Sequence, residues 1–173
     1  PTNPVHELDK VCAQASFVLG KAREMPKRED QAAQTQKVLD MLDPKKFENV
    51  KDNESLAELY LQRSIVSLDM AFHVYNLDTH DGKSLTAHFR EAAKAGEKAR
   101  TLEPANPEMA NLALANAYED LGYFVSPFEY QNLERAYKIY TDAIAKGSES
   151  ARVRRGQCKI FMADASYIVR EKY

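Results

Sequence analysis

Three segments of this chain carry residues at matched offsets along what would be one face of a helix. At spacings of four, three and three residues, the sets are Ala32, Gln36, Leu39, Leu42; Ala92, Gly96, Ala99, Leu102; and Ala136, Tyr140, Ala143, Lys146. Such spacing aligns side chains on one helix face, and small residues there allow a neighbouring helix to approach closely. The first two segments end in Asp43-Pro44 and Glu103-Pro104, and proline stops a helix. The pattern therefore predicts consecutive helical hairpins.

Helical spacing also covers the rest of the chain, and the alternating pattern of β-strands is missing from the sequence. About seven helices are predicted, at residues 5–23, 29–42, 53–77, 84–103, 107–121, 130–146 and 149–173. Asn53 or Ser55 is expected to cap the third helix and Ser84 the fourth. Pro107 is expected to open the fifth helix, and Gly147 to close the sixth. The fold class predicted is all-α.

The repeated segments resemble the tetratricopeptide-repeat family, whose unit is an antiparallel helix pair of about 34 residues. In the first unit, Gly20 precedes Ala32 by twelve residues and Pro44 follows Ala32 by twelve, as in that family. The third unit has the matching residues Leu114, Ala115, Tyr118, Leu121 and Gly122. The longer step from Gly122 to Ala136 is similar to that of the related Sel1-type repeats, which have a longer loop between helices.

This resemblance implies one domain over residues 1–173 that forms a short right-handed α-solenoid. Its units would span about 5–44, 54–104 and 107–148, followed by a terminal helix at 149–173. The alternative is an ordinary helical bundle, in which Ala and Leu recur because every bundle needs them.

In the family, the first helices of successive units form a concave groove that binds a peptide or a partner helix. The resemblance therefore implies a protein–protein interaction scaffold. The groove positions that it implies are Phe17, Lys21, His73, Leu112, Asn116 and Glu119. Peptide-binding members of the family hold the peptide backbone with an asparagine at the position of Asn116. At the position where those members also carry a basic residue, this chain has Leu112. This difference argues against a clamp for a terminal carboxylate.

Two further surfaces are candidates for binding. Arg152 and Arg155 share a helix face with Lys159 and could receive an acidic peptide or a carboxylate terminus, unless that face is simply solvated. The longer loops at 78–83 and 123–129 could instead carry the contact surface. Its exposed apolar anchors would be Phe124, Val125 and Phe128.

The sequence does not predict an enzyme, a metal site or a cofactor. The residues His73, Asp78, His80, Asp81 and His88 lack the tight spacing of zinc ligands. Phosphate-binding glycine loops and nucleophile elbows are missing from the sequence. Glu119 and Asp120, adjacent on a helix, are expected to face solvent, and Cys12 and Cys158 are expected to be buried and small apolar in character.

A second possible function is a helical carrier or sensor of an apolar small molecule. The aromatic and methionine side chains that suggest it are Tyr60, Met70, Phe72 and Tyr75. Packing in the core is the simpler role for these side chains.

Charge and hydropathy narrow the range of partners. Lys and Arg number 24 against 26 Asp and Glu, a net charge of −2, which argues against nucleic acid as the ligand. No window reaches the ~18 apolar residues that a membrane span needs. A protein or peptide partner is expected, and a homo-oligomer is compatible with the sequence. The start at Pro1 fits either a chosen boundary or a removed targeting segment. A cytoplasmic location is slightly favoured, and a periplasmic or secreted one is compatible with a removed N-terminal signal.

Overall fold

The computed structural model describes residues 3–77, 82–125 and 128–171, with side chains to residue 168. Within these ranges lie a 3-10 helix at Pro44–Phe47 and seven α-helices. The α-helices are α1 Pro4–Arg23, α2 Arg28–Met41, α3 Asn53–Tyr75, α4 Gly82–Thr101, α5 Pro107–Phe124, α6 Tyr130–Ala145 and α7 Ser150–Glu171. The prediction of an all-α chain of about seven helices is confirmed.

Two of the predicted helix caps are wrong. The residue that caps α3 is Asp52, whose carboxylate accepts a hydrogen bond from the Ser55 backbone N–H at 2.8 Å. Asn53 and Ser55 therefore lie inside the first turn. Ser84 also lies inside a helix, because α4 already begins at Gly82.

Two other predicted helix ends, at Pro107 and Gly147, are confirmed. Pro107 opens α5, and the Asn106 side chain caps it by accepting from the Met109 backbone N–H at 3.0 Å. Gly147 follows α6 with φ of 95°, the left-handed conformation that glycine adopts most easily. Glu103, after α4, is in the left-handed region too, at φ of 51°, so the two Leu-acid-Pro endings differ in backbone conformation.

The helices pack in chain order, each against the next. In addition, α1 contacts α3, α3 contacts α5, and α5 contacts α7. The four odd-numbered helices therefore form a continuous row.

The matched small residues are buried where the helices meet. Ala92, Ala99 and Ala136 are wholly buried, and a Cβ added to Gly96 would lie 3.2 Å from the Leu114 Cα. That Cβ would also lie 3.2 Å from the Oγ of Ser64, so α4 approaches α3 and α5 together. Not every matched position is buried, because Gln36 and Lys146 are exposed.

Two apolar clusters form most of the core. One contains Leu8, Leu42 and Leu59, and the other contains Phe89 and Leu114. Met70 on α3 packs against both clusters and links them. Cys12 and Cys158 are buried free thiols, as predicted.

Gly122 is the second point of close approach between helices. A Cβ there would lie 2.8 Å from the Leu133 Cγ and 2.9 Å from the Leu133 backbone nitrogen. Because backbone cannot easily move aside, we expect Gly122→Ala to lower the free energy of unfolding by about 2 kcal/mol. Urea unfolding followed by circular dichroism measures this change.

Gly156→Ala on α7 is the matched control, since an added Cβ there would meet no described atom within 4 Å beyond the adjacent residues and the backbone of its own helix. Alanine is the better helix former, so this substitution should stabilise the protein by roughly 0.5–1 kcal/mol. An unfolding free energy of Gly122→Ala equal to or above that of the wild type would contradict the close contact between α5 and α6.

Candidate functional site

A groove of about 760 Å³ runs across the row of odd-numbered helices, and we refer to it as the odd-helix groove. Each of the four helices contributes to its lining. The lining residues are Arg23 of α1; Ile65, Leu68, Asp69 and Phe72 of α3; Asn106 and, from α5, Glu108, Met109, Leu112, Ala113, Asn116, Asp120 and Phe124; and Arg154 and Gln157 of α7.

The residues from α3 and α5 follow helical spacing, so each helix presents a single stripe to the groove. These stripes are mainly apolar, and Met109 at the rim is 49% exposed. At one edge, the Arg23 Nε lies 2.7 Å from the Asp69 Oδ2 and joins α1 to α3. This ion pair is partly exposed, so its contribution to stability is small.

Two of the residues predicted for a peptide groove, Leu112 and Asn116, line the odd-helix groove. The Asn116 Oδ1 accepts a hydrogen bond of 2.6 Å from the Tyr140 hydroxyl, which fixes the amide from behind. Its NH₂ group donates to no other residue in the described part of the chain. An amide held in this way can donate to a carbonyl oxygen of a bound chain.

Three other predicted residues, on α1 and α3, lie outside this lining. Phe17 is 63% exposed, with the Lys21 ammonium 4.6 Å from its ring centroid. His73 is half-buried, and its Nε2 is buried without a hydrogen-bond partner among the described residues. Burial lowers the pKa of this imidazole, which favours its neutral form.

The basic residues of α7 do not all face the odd-helix groove. Arg155 and Lys159 lie near the Tyr137 ring of α6, and Arg152 pairs with Glu149 at 3.2 Å. Arg154 is the basic residue that α7 contributes to the odd-helix groove. A role of Arg152 and Arg155 in partner binding stays a prediction.

The expectation that Glu119 and Asp120 face solvent is wrong. Glu119 is wholly buried and Asp120 is 8% exposed. The physical reason is that α5 packs against α3, α4, α6 and α7, which leaves little of its circumference to water. The sequence carries a signal for this, because 107–124 lacks the broad polar face of a surface helix.

Polar compensation around the two carboxyl groups is sparse. Neither Glu119 oxygen makes a hydrogen bond of normal geometry with a described residue, although the Tyr140 hydroxyl and the Cys158 thiol lie close enough to act on its pKa. The Arg154 Nη1 reaches Glu119 only at 4.0 Å. The Tyr140 hydroxyl, which lies nearby, donates to Asn116 instead. Asp120 has no hydrogen bond or ion pair to any described residue and lines the groove.

Burial raises the pKa of both groups. The Glu119 pKa rises to about 7 because of burial and then the negative charge of Asp120, with Arg154, the Tyr140 hydroxyl and the Cys158 thiol acting in the opposite direction. The Asp120 pKa rises to about 7 through burial, again opposed by Arg154. The pair is therefore only partly ionised near neutral pH.

The prediction of exposed apolar anchors in the 123–129 loop is wrong for Val125, which is buried, while Phe124 and Phe128 are partly buried. Val125 is 5% exposed, and Phe128 stacks on Tyr123 with ring centroids 5.7 Å apart. Phe124 meets Phe72 edge-on at 5.4 Å, so these rings form a cluster between helices. Residues 126–127 and 78–81, which include Asp78, His80 and Asp81, lie outside the described residues.

The aromatic and methionine side chains that suggested a small-molecule carrier mostly take part in packing. Met70 and Phe72 pack against the core clusters, and Tyr60 packs beside Leu61. Tyr75 is 43% exposed.

Groupings of three or more His, Cys, Asp or Glu side chains that could hold a metal ion are absent from the described residues. Within the same residues, no helix combines the length and apolar character needed to cross a membrane. Comparison of the chain with family models, curated proteins and solved structures finds no match.

The carboxyl pair predicts a pH dependence of stability. Unperturbed carboxyl groups have a pKa near 4, whereas Glu119 and Asp120 have a pKa of about 7 in the fold. The folded protein therefore holds more protons between these values, and the free energy of unfolding falls as the pH rises. Each carboxyl contributes on the order of 3 kcal/mol to this fall.

Urea unfolding of the wild type and of a Glu119→Gln/Asp120→Asn variant, from about pH 5 to about pH 8, measures the effect. His73 and His88, whose pKa values are lowered by burial, act in the opposite direction at the acidic end. The difference between the two proteins isolates the carboxyl pair. The variant should gain stability relative to the wild type as the pH rises, and a constant difference would contradict the assignment.

Proposed function

We propose that the chain is a non-catalytic module that binds a peptide or helix of a protein partner in the odd-helix groove. The observation that carries this proposal is a single groove lined by α1, α3, α5 and α7, with apolar stripes and a few polar groups. Sites that bind extended ligands combine these two elements, because apolar contacts supply affinity and polar groups fix orientation.

The finer interpretation is a solenoid of helix hairpins like those of tetratricopeptide repeats. Two observations support it. The odd-numbered helices contact one another in sequence, and the small residues of α4 lie against α3 and α5. In a stacked array, the first helix of each hairpin lines the inner face. The proposed groove would be that face.

Asn116 supports a chain-like ligand in particular. Its oxygen is occupied by Tyr140, so the amide keeps a defined orientation in the groove. A fixed amide donor recognises a backbone carbonyl whatever the side chains of the ligand are.

Photo-crosslinking tests which surface meets the partner. A benzophenone amino acid is placed at Met109, 49% exposed in the groove, or at Lys138, exposed on α6 outside the groove lining. In native lysate, we expect a discrete crosslinked protein from position 109 and none from position 138. Equal crosslinking from both positions, or none from either, would argue against the groove.

Substitution then tests the contribution of the groove to affinity. Met109→Glu places a charge on an apolar stripe and should weaken binding of the crosslinked partner at least about tenfold. Lys138→Glu introduces the same side chain on α6 and should leave the affinity unchanged. Circular dichroism of both variants establishes that the helices are retained.

A further inference from the structure

Asp120 is a buried carboxyl group that faces the odd-helix groove without a partner. It is 8% exposed, it lines the groove, and no hydrogen bond or ion pair reaches it from the described residues. Buried carboxyl groups are normally hydrogen-bonded or paired with a cation. A group that lacks such a partner at the wall of a groove points to a partner supplied by the ligand.

The local charge balance indicates the sign of that partner. Glu119 lies next to Asp120 in the same helix and is wholly buried, and its oxygens make no hydrogen bond of normal geometry with a described residue. Arg154 is the cation that approaches the pair, at 4.0 Å from Glu119. One guanidinium group can balance the charge of only one of the two carboxyl groups, so a second positive charge at this pair would be favourable.

The rest of the groove does not supply that charge. Its other arginine, Arg23, is already paired with Asp69 at 2.7 Å. Glu108 at the far end of the α5 stripe adds another acidic side chain to the lining. The lining is therefore acidic in sum, with Asp69, Glu108 and Asp120 against two arginines.

The groups on either side of Asp120 fit a long basic side chain. Asn116 and Phe124 lie four residues before and after it on the same stripe, and both line the groove. An ammonium or guanidinium group at Asp120 could contact the Phe124 ring, because cations are attracted to aromatic faces. The aliphatic stem of the same side chain would lie along the apolar residues of α3.

We propose that the odd-helix groove recognises a peptide through a lysine or arginine side chain whose cationic group pairs with Asp120. Apolar residues of the peptide beside that side chain pack on the stripes of α3 and α5. This inference rests on the proposed function, because it names the chemistry of the ligand for the same groove.

Selection from a displayed library of short random peptides tests the inference. Wild-type protein, Asp120→Asn, Arg154→Gln and Met109→Glu are each used as bait, with retention of fold checked by circular dichroism. We expect peptides enriched on the wild type to contain a lysine or arginine beside apolar residues. Replacing that residue by norleucine in a synthetic peptide should weaken binding to the wild type about tenfold or more.

The variants separate the groups involved. Asp120→Asn, which keeps the shape of the side chain, should bind the lysine and norleucine peptides nearly equally. Arg154→Gln should keep the preference for the basic peptide, because the carboxyl pair then has no cation of its own. Enrichment of acidic residues, lost in Arg154→Gln, would overturn the inference and assign recognition to Arg154.

Failure of this inference is distinguishable from failure of the proposed function. Peptides that bind the wild type without a basic residue, and lose binding in Met109→Glu, would overturn the role of Asp120 and leave the groove as the binding surface. Absence of any enriched peptide that depends on Met109 would overturn both.

Discussion

The contact of α4 with α3 and α5 at Gly96 sets the spacing of the helices around the odd-helix groove. A Cβ at this position would lie 3.2 Å from the Leu114 Cα and 3.2 Å from the Ser64 Oγ. The Ser64 hydroxyl donates to the Ala92 carbonyl at 2.8 Å, so the contact includes a buried polar link as well as close packing. Because α3 and α5 supply most of the groove lining, a larger side chain on α4 would change the distance between the two stripes that define the groove.

The central position of α5 explains why the polar part of the groove is electrostatically unusual. This helix is surrounded by four others, so Glu119 and Asp120 have few directions in which to reach water. Ionised carboxyl groups in such a place are unfavourable unless they are paired, and Arg154 compensates them only in part. Partial protonation, with the pKa of each group at about 7, is the way in which this fold accommodates them near neutral pH.

The sequence predicted the helices well because their ends are marked by local chemistry. Pro107 and Gly147 act through their own backbone preferences, and the buried faces of α4 and α6 follow from helical spacing. Burial of Glu119 and Asp120 was not predicted, since periodicity describes one helix and not the number of its neighbours. Which arginine of α7 faces the groove likewise depends on how this helix packs, with Ala151 and Cys158 buried against the rest of the fold. Residue spacing alone could not show that Arg154 faces the groove and that Arg155 lies near Tyr137.

Protonation and cation binding are two ways of neutralising the same pair of carboxyl groups. Either process removes the desolvation penalty of a buried negative charge, so the two are thermodynamically linked. A cation bound at Asp120 would lower the pKa of that carboxyl group and displace its proton. Acidic conditions would in turn weaken the binding of the cation, because they favour the protonated carboxyl group. A groove with fully solvated acidic side chains would lack this linkage near neutral pH, because those groups are ionised throughout. Burial of the acidic pair in α5 therefore connects the stability of the fold to the chemistry of the groove.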